Sequence, residues 1–197
     1  MNPFSLSYKG DVTDEYAARL VKKHGPITAK LTASGTHSNH CFGSYRDDSP
    51  CHSNVSLSVW KFAGRDGSVH GTIEEKFGNG ETLKIDVDCM VRDELNKEAV
   101  IGGVVTMTPK PSDEWIPNSL EMYFGKHAYV KVIDDAVKGD YISSVLFDAI
   151  EKGDTSCVNK EDKFEVNYDD KNVKDPNVSL CSKHGDWESC VAKMMTE

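Results

Sequence analysis

Residues 53–107 fall into four successive runs, each closed by a turn signal, and in the first three the apolar side chains fall mostly at alternate positions. A period of two is that of an extended strand with one face buried, so this stretch reads as β-sheet and not as helix. Val55, Leu57 and Val59 alternate with Ser56, Ser58 and Trp60, after which Arg65-Asp66-Gly67 reverses the chain. Val69, Ile73 and Phe77 share a face opposite His70, Thr72, Glu74 and Lys76. Gly78-Asn79-Gly80 then supplies the Asn-Gly pair that a tight hairpin needs for its positive-φ positions. In the strand at 81–91, Leu83, Ile85, Val87, Cys89 and Val91 face one way, against Thr82, Lys84, Asp86, Asp88 and Met90. A turn at 94–97 leads to a strand at 98–107 that is apolar on both faces, in which Gly102-Gly103 marks a bulge or a close contact. The four strands form a meander.

The flanks extend this pattern. Thr13, Asp14 and Glu15 suit a helix cap and first turn, Tyr16, Leu20 and Val21 recur at helical spacing, and Lys22, Lys23 and His24 before Gly25-Pro26 form a stop signal. Residues 27–35 read as a strand and 36–50 as a polar loop. Pro109, Pro111 and Pro117 punctuate a connection that ends in a short helix at 118–124. Strands are predicted at 128–133, 141–150 and 164–168, with a turn at 134–139. Many short strands between turns indicate an all-β fold, a single antiparallel β-sandwich or flattened barrel. The expected organisation is an N-terminal helical segment at 1–25, the β domain at 26–168 and a polar C-terminal appendage at 169–197 tied down by its cysteines.

Cys41 and Cys51 lie close in sequence, as do Cys181 and Cys190, which leaves Cys89 and Cys157. Six cysteines allow fifteen connectivities, and proximity favours these three pairs because short rings close at small entropic cost. Each bridge would stabilise the fold by about 2–4 kcal/mol. The alternative is six reduced thiols, with Cys89 a buried, inert one on its apolar face. Two Asn-x-Ser sequons, at Asn54 and Asn177, are glycan acceptors if the chain is secreted.

Formal net charge is −9 and the pI about 5.3, which argues against nucleic acid and anionic membranes, whose phosphates need a basic footprint. No stretch approaches the roughly 20 apolar residues that span a bilayer as a helix. Residues 1–14 lack the basic and apolar regions of a secretory leader. The cysteines point instead to a secreted or otherwise oxidising setting with the leader absent from this sequence; a cytoplasmic protein is the alternative.

His37, His40, Cys41, Cys51 and His52 bring together the ligand types that zinc and copper accept, although their spacing matches no standard finger. Use of both thiols as ligands would exclude a Cys41–Cys51 bridge. Asn167, Asp169, Asp170, Asn172 and Asp175 carry oxygens of the kind calcium takes, without EF-hand spacing. Nucleophile elbows, phosphate loops, HExxH and dinucleotide fingerprints do not occur. No catalytic residue is therefore assigned. Trp60, Phe62, Tyr129 and Tyr141 suit a β core better than a ligand surface.

Gly67-Ser68-Val69-His70-Gly71, Val87-Asp88-Cys89, the segment Ala99-Val100-Ile101-Gly102-Gly103-Val104-Val105-Thr106, Val132-Ile133-Asp134-Asp135 and Cys157 occur in an order that resembles a group of uncharacterised secreted β-rich domains found mainly in bacteria. The likeness covers about residues 35–166. It departs at Asp135-Ala136-Val137-Lys138-Gly139, where the group has a glycine-rich turn. The resemblance implies a β-sandwich and a link between Cys89 and Cys157, and supplies no activity. The expectation is a non-catalytic structural or ligand-binding module without a cofactor. Its partner would be a protein, a glycan or copies of itself paired through strand edges. The alternative is a small metalloprotein or metal-dependent hydrolase that uses the loop from His37 to His52.

Overall fold

In the computed structural model the described residues are 19–38, 52–64, 68–77, 82–93, 95–108, 121–135, 137, 139–143, 145–147, 157 and 173–182. A helix end, α1 (19–24), leads into β1 (Ile27–Ser38), β2 (His52–Phe62), β3 (Val69–Phe77), β4 (Thr82–Asp93) and β5 (Glu98–Met107). A short 3-10 turn (Glu121–Tyr123) precedes β6 (His127–Ile133), β7 (Tyr141–Ile142), β8 (Leu146–Phe147) and β9 (Val173–Ser182).

The described strands belong to one open antiparallel sheet, in the order β7-β6-β5-β4-β3-β2-β1-β9, with β8 also paired to β6. The sheet curls around its own inner face. Ala29, Leu31, Val55, Leu57, Val59, Ile73, Ile85, Val87, Ile101, Val105, Val130, Val132, Ile142 and Val178 meet there in one buried core. A fully buried Val, Leu or Ile contributes about 1.5–3 kcal/mol, so this shared interior supplies the main drive for closure. The two ends of the sheet approach where Asp140 Oδ2 accepts the backbone N–H of Val178 at 2.7 Å. The all-β antiparallel fold expected from the sequence is present as a single curled sheet, nearer to a flattened barrel than to a sandwich and left open between β7 and β9.

The curl requires sharp bending, and one cross-strand row shows how the sequence permits it. Val59 faces Gly71, Gly71 faces Val87, Val87 faces Gly103 and Gly103 faces Ala128. A Cβ on Gly71 would sit 2.2 Å from Ser58 O, and one on Gly103 2.0 Å from Asp86 O. Only glycine lets neighbouring backbone approach so closely, so this row permits the sheet to bend sharply.

The alternation read from the sequence holds on most strands. Leu83, Ile85 and Val87 are buried while Lys84 and Asp86 face water. Cys89 and Val91 were expected on that inner face and are not there. The β4–β5 register shifts between Val87 and Cys89, and this bulge inserts one residue, so Met90 turns inward and Cys89 and Val91 turn out. On the outer face they pack with Val100, Tyr129 and Cys157.

Three boundaries also differ. β1 runs on to Ser38, because His37 and Ser38 continue the ladder with Ser53 and His52. The strand expected at 141–150 resolves into two short pieces, β7 and β8. Residues 173–182, assigned from sequence to the polar appendage, form β9 and pair with β1. The strand expected at 164–168 lies outside the described residues.

α1 covers part of the outer face. Leu20 and Ile27 pack against Trp60 and Phe62. The helix closes with Gly25 N–H donating to Val21 O at 2.9 Å, and Gly25 takes a φ of 88°.

Candidate functional site

The strand ends divide the barrel into two rims. At the first, β1 ends at Ser38, β2 begins at His52, β3 ends at Phe77 and β5 ends at Met107, and the long connections at 39–51 and 109–120 leave from there. At the second rim, α1 meets the β2–β3 turn, and β4 and β5 are joined by a short turn. In that turn Asp93 Oδ1 accepts the backbone N–H groups of Leu95 and Asn96 at 2.9 and 3.2 Å, and Asp93 Oδ2 accepts from Asn96 Nδ2 at 2.6 Å. These bonds, led by the one from the Asn96 backbone, hold the Asp93 carboxyl below its ordinary range. The β4–β5 turn is thus satisfied locally.

At the long-loop rim the apolar inner register carries a carboxylate. Glu75 follows Val69, Gly71 and Ile73 on the inward face of β3, opposite Val55 on β2 and Leu83 on β4. It is 2% exposed, and Ser53, which is fully buried on β2, donates its hydroxyl to Glu75 Oε1. An acidic side chain almost never occupies such a position without a partner, because removing its charge from water costs several kcal/mol. Phe77 and Leu83 flank the pair with apolar surface. The result is a polar anchor in an apolar interior, next to the end from which the long loops leave, and barrel mouths with such linings recur as ligand sites.

The sequence reading passed over Glu75. Its signal was present: in Val69, Gly71, Ile73, Glu75 and Phe77, a carboxylate occupies an apolar phase.

The residues chosen from sequence are placed as follows. The backbone of His37 lies opposite Ser53, and that of His52 opposite Ser38, so both belong to the long-loop rim. His40, Cys41, Cys51 and Cys190 lie outside the described residues. So do Asn167, Asp169, Asp170 and Asn172 of the expected calcium cluster, while Asp175 falls within β9. Among the described residues no three metal-ligating groups cluster. Asn54 is exposed on the outer face of β2, and its Oδ1 accepts from Thr36 Oγ1 at 3.0 Å. Asn177 pairs with Ser34 in the β9–β1 ladder. The backbone of Cys181 lies opposite Lys30.

Cys89 and Cys157 form a disulfide across 68 residues of sequence, with Cα atoms 5.7 Å apart. Cys157 is buried against the outer face, over Val100 and Tyr129. The Tyr129 ring in turn covers Gly102, where a Cβ would meet it at 2.3 Å. The close contact expected at Gly102-Gly103 is thus present.

Two polar side-chain pairs flank this patch on the outer face. His127 Nε2 lies 3.0 Å from Asp88 Oδ2, and Lys131 Nζ lies 2.6 Å from Glu98 Oε2. Lys131 is largely buried and its aliphatic stem extends the cover over the sheet.

Comparison with protein-family models, with curated proteins and with solved structures finds no match to this chain.

Proposed function

We propose that this protein is a non-catalytic binding module that receives a small cationic group at the long-loop rim of its barrel, with Glu75 as the anchor. The observation that carries the reading is the burial of Glu75 and Ser53 within the apolar inner face. A hydrophobic residue of similar volume would fill this position at no desolvation cost, so a carboxylate here serves recognition better than stability. A protonated amine on an apolar body complements it: the charge meets Glu75, and the body meets Phe77 and Leu83. The Cys89–Cys157 bridge supports work in an oxidising compartment, secreted or enclosed.

The test is a thermal-shift screen of primary and secondary amines, each paired with its neutral alcohol analogue, followed by calorimetry of the hits. Amines should bind and their alcohols should not, and Glu75→Gln should weaken amine binding at least about tenfold while leaving the fold intact. Equal binding by Glu75→Gln, or hits confined to neutral or anionic compounds, would remove Glu75 from the site.

A further inference from the structure

At the opposite rim, α1 meets the sheet through two histidines. His24 is the last residue of α1, and His70 sits on the outward face of β3. Their ring centroids are 4.4 Å apart, and both rings contact Phe62, at 5.8 and 5.9 Å. The Nε2 atoms of both are buried and have no hydrogen-bond partner. A buried polar atom left in this state costs about 1–3 kcal/mol, and a charge on it would cost more. His70 therefore fits the closed arrangement best while its imidazole is neutral.

We infer that His24 and His70 form an acid-released latch, which holds α1 on the sheet at neutral pH and lets it leave when His70 takes up a proton. The surroundings favour release. Burial is the main cause that lowers the pKa of His70 from its ordinary 6.5, and His24 and Lys23 add to it. From α1, Arg19 and Lys22 add further positive charge at this rim, and from β1 and β2 so do Lys30, which pairs with Trp60, and Lys61. Among the described residues, two carboxylates of the outer face are directed elsewhere: Asp88 to His127 at 3.0 Å and Asp86 to Lys84 at 3.7 Å. Glu74 lies one turn of the pleat beyond Thr72 on β3, opposite Lys84. Among the described residues no third metal-ligating group joins the two imidazoles, and a structural zinc site takes four.

The sign follows from the direction of the shift. His70 binds its proton less readily in the closed arrangement than when released, so the latch is intact above about pH 6.5 and weakens as pH falls below it. Opening therefore increases as pH falls from neutral towards 5.0. What opening uncovers is the apolar strip of Trp60, Phe62 and Ile27.

Two backbone amides report on the latch: Gly25 N–H, bonded to Val21 O, and Ala63 N–H, bonded to Pro26 O. Their hydrogen exchange, corrected for the intrinsic pH dependence, is measured at pH 7.5 and 5.0 beside amides of β4. The expected result is a loss of protection at Gly25 and Ala63 at pH 5.0, with β4 unchanged. His70→Phe keeps a ring against Phe62 and cannot take a proton, so its protection should not depend on pH. Unchanged protection in the wild type, equal loss in His70→Phe, or a parallel loss in β4 would overturn the latch. Titration of His70 in the wild-type protein by NMR is independent of any variant, and a midpoint at or above 6.5 would overturn it as well.

Discussion

Replacing both Cys89 and Cys157 by alanine tests how much of the fold depends on its long-range covalent link. The bridge closes a ring across 68 residues, which spans β5, β6, β7 and β8. By the chain-entropy relation, such a ring costs the unfolded state about 15 cal/mol/K, or about 4.4 kcal/mol at 25 °C. The double variant removes the link without leaving a thiol, and the apolar contact of Cys157 with Val100 and Tyr129 shrinks only by its sulfur. Urea unfolding followed by fluorescence should show the midpoint fall by about 1.5–2 M, for a slope of about 2–3 kcal/mol/M. The slope itself should rise, because the unlinked chain exposes more surface when it unfolds. A loss below about 1 kcal/mol, with the slope unchanged, would refute the reasoning and would mean that the packing around Cys157 holds this segment without the bond.

The same unfolding assay tests the inner register of β4: Ile85→Ala, at a fully buried position, should cost about 2–5 kcal/mol, and Lys84→Ala, on the wet face, within about 0.5. For the glycine row, Gly103→Ala drives a methyl against the Asp86 carbonyl and should cost about 1–3 kcal/mol, with faster amide exchange along β4 and β5 as the second readout.

The meander from β2 to β5 was legible because side-chain alternation and turn chemistry are local properties of the chain. The bulge at Val87–Cys89 was not, since one inserted residue leaves Cys89 and Val91 in phase with each other and changes only the face they share. Pro176 hid β9, because proline argues against a paired strand. The structure accommodates it at an irregularity of the β1–β9 ladder, where the pairing passes from Asn177–Ser34 to Lys174–Thr36 and skips Asp175 and Pro176. Glu75 was visible as a charge in an apolar phase, but its meaning depends on Ser53, 22 residues away on another strand. The contact of His24 with His70 has no sequence signature at all, because it exists only once α1 lies on the sheet.

The place of β9 beside β1 also sets an order of events for a chain that emerges from its N-terminus. Leu31 finds one neighbour, Val59, within the first third of the sequence, but the other, Leu180, only near its end. Until then β1 offers an unpaired edge, a template for any other nascent copy nearby, while the meander beside it is already able to fold. β9 is therefore the strand that retires this hazard, and a chain cut short before Val173 would have the meander and keep the open edge.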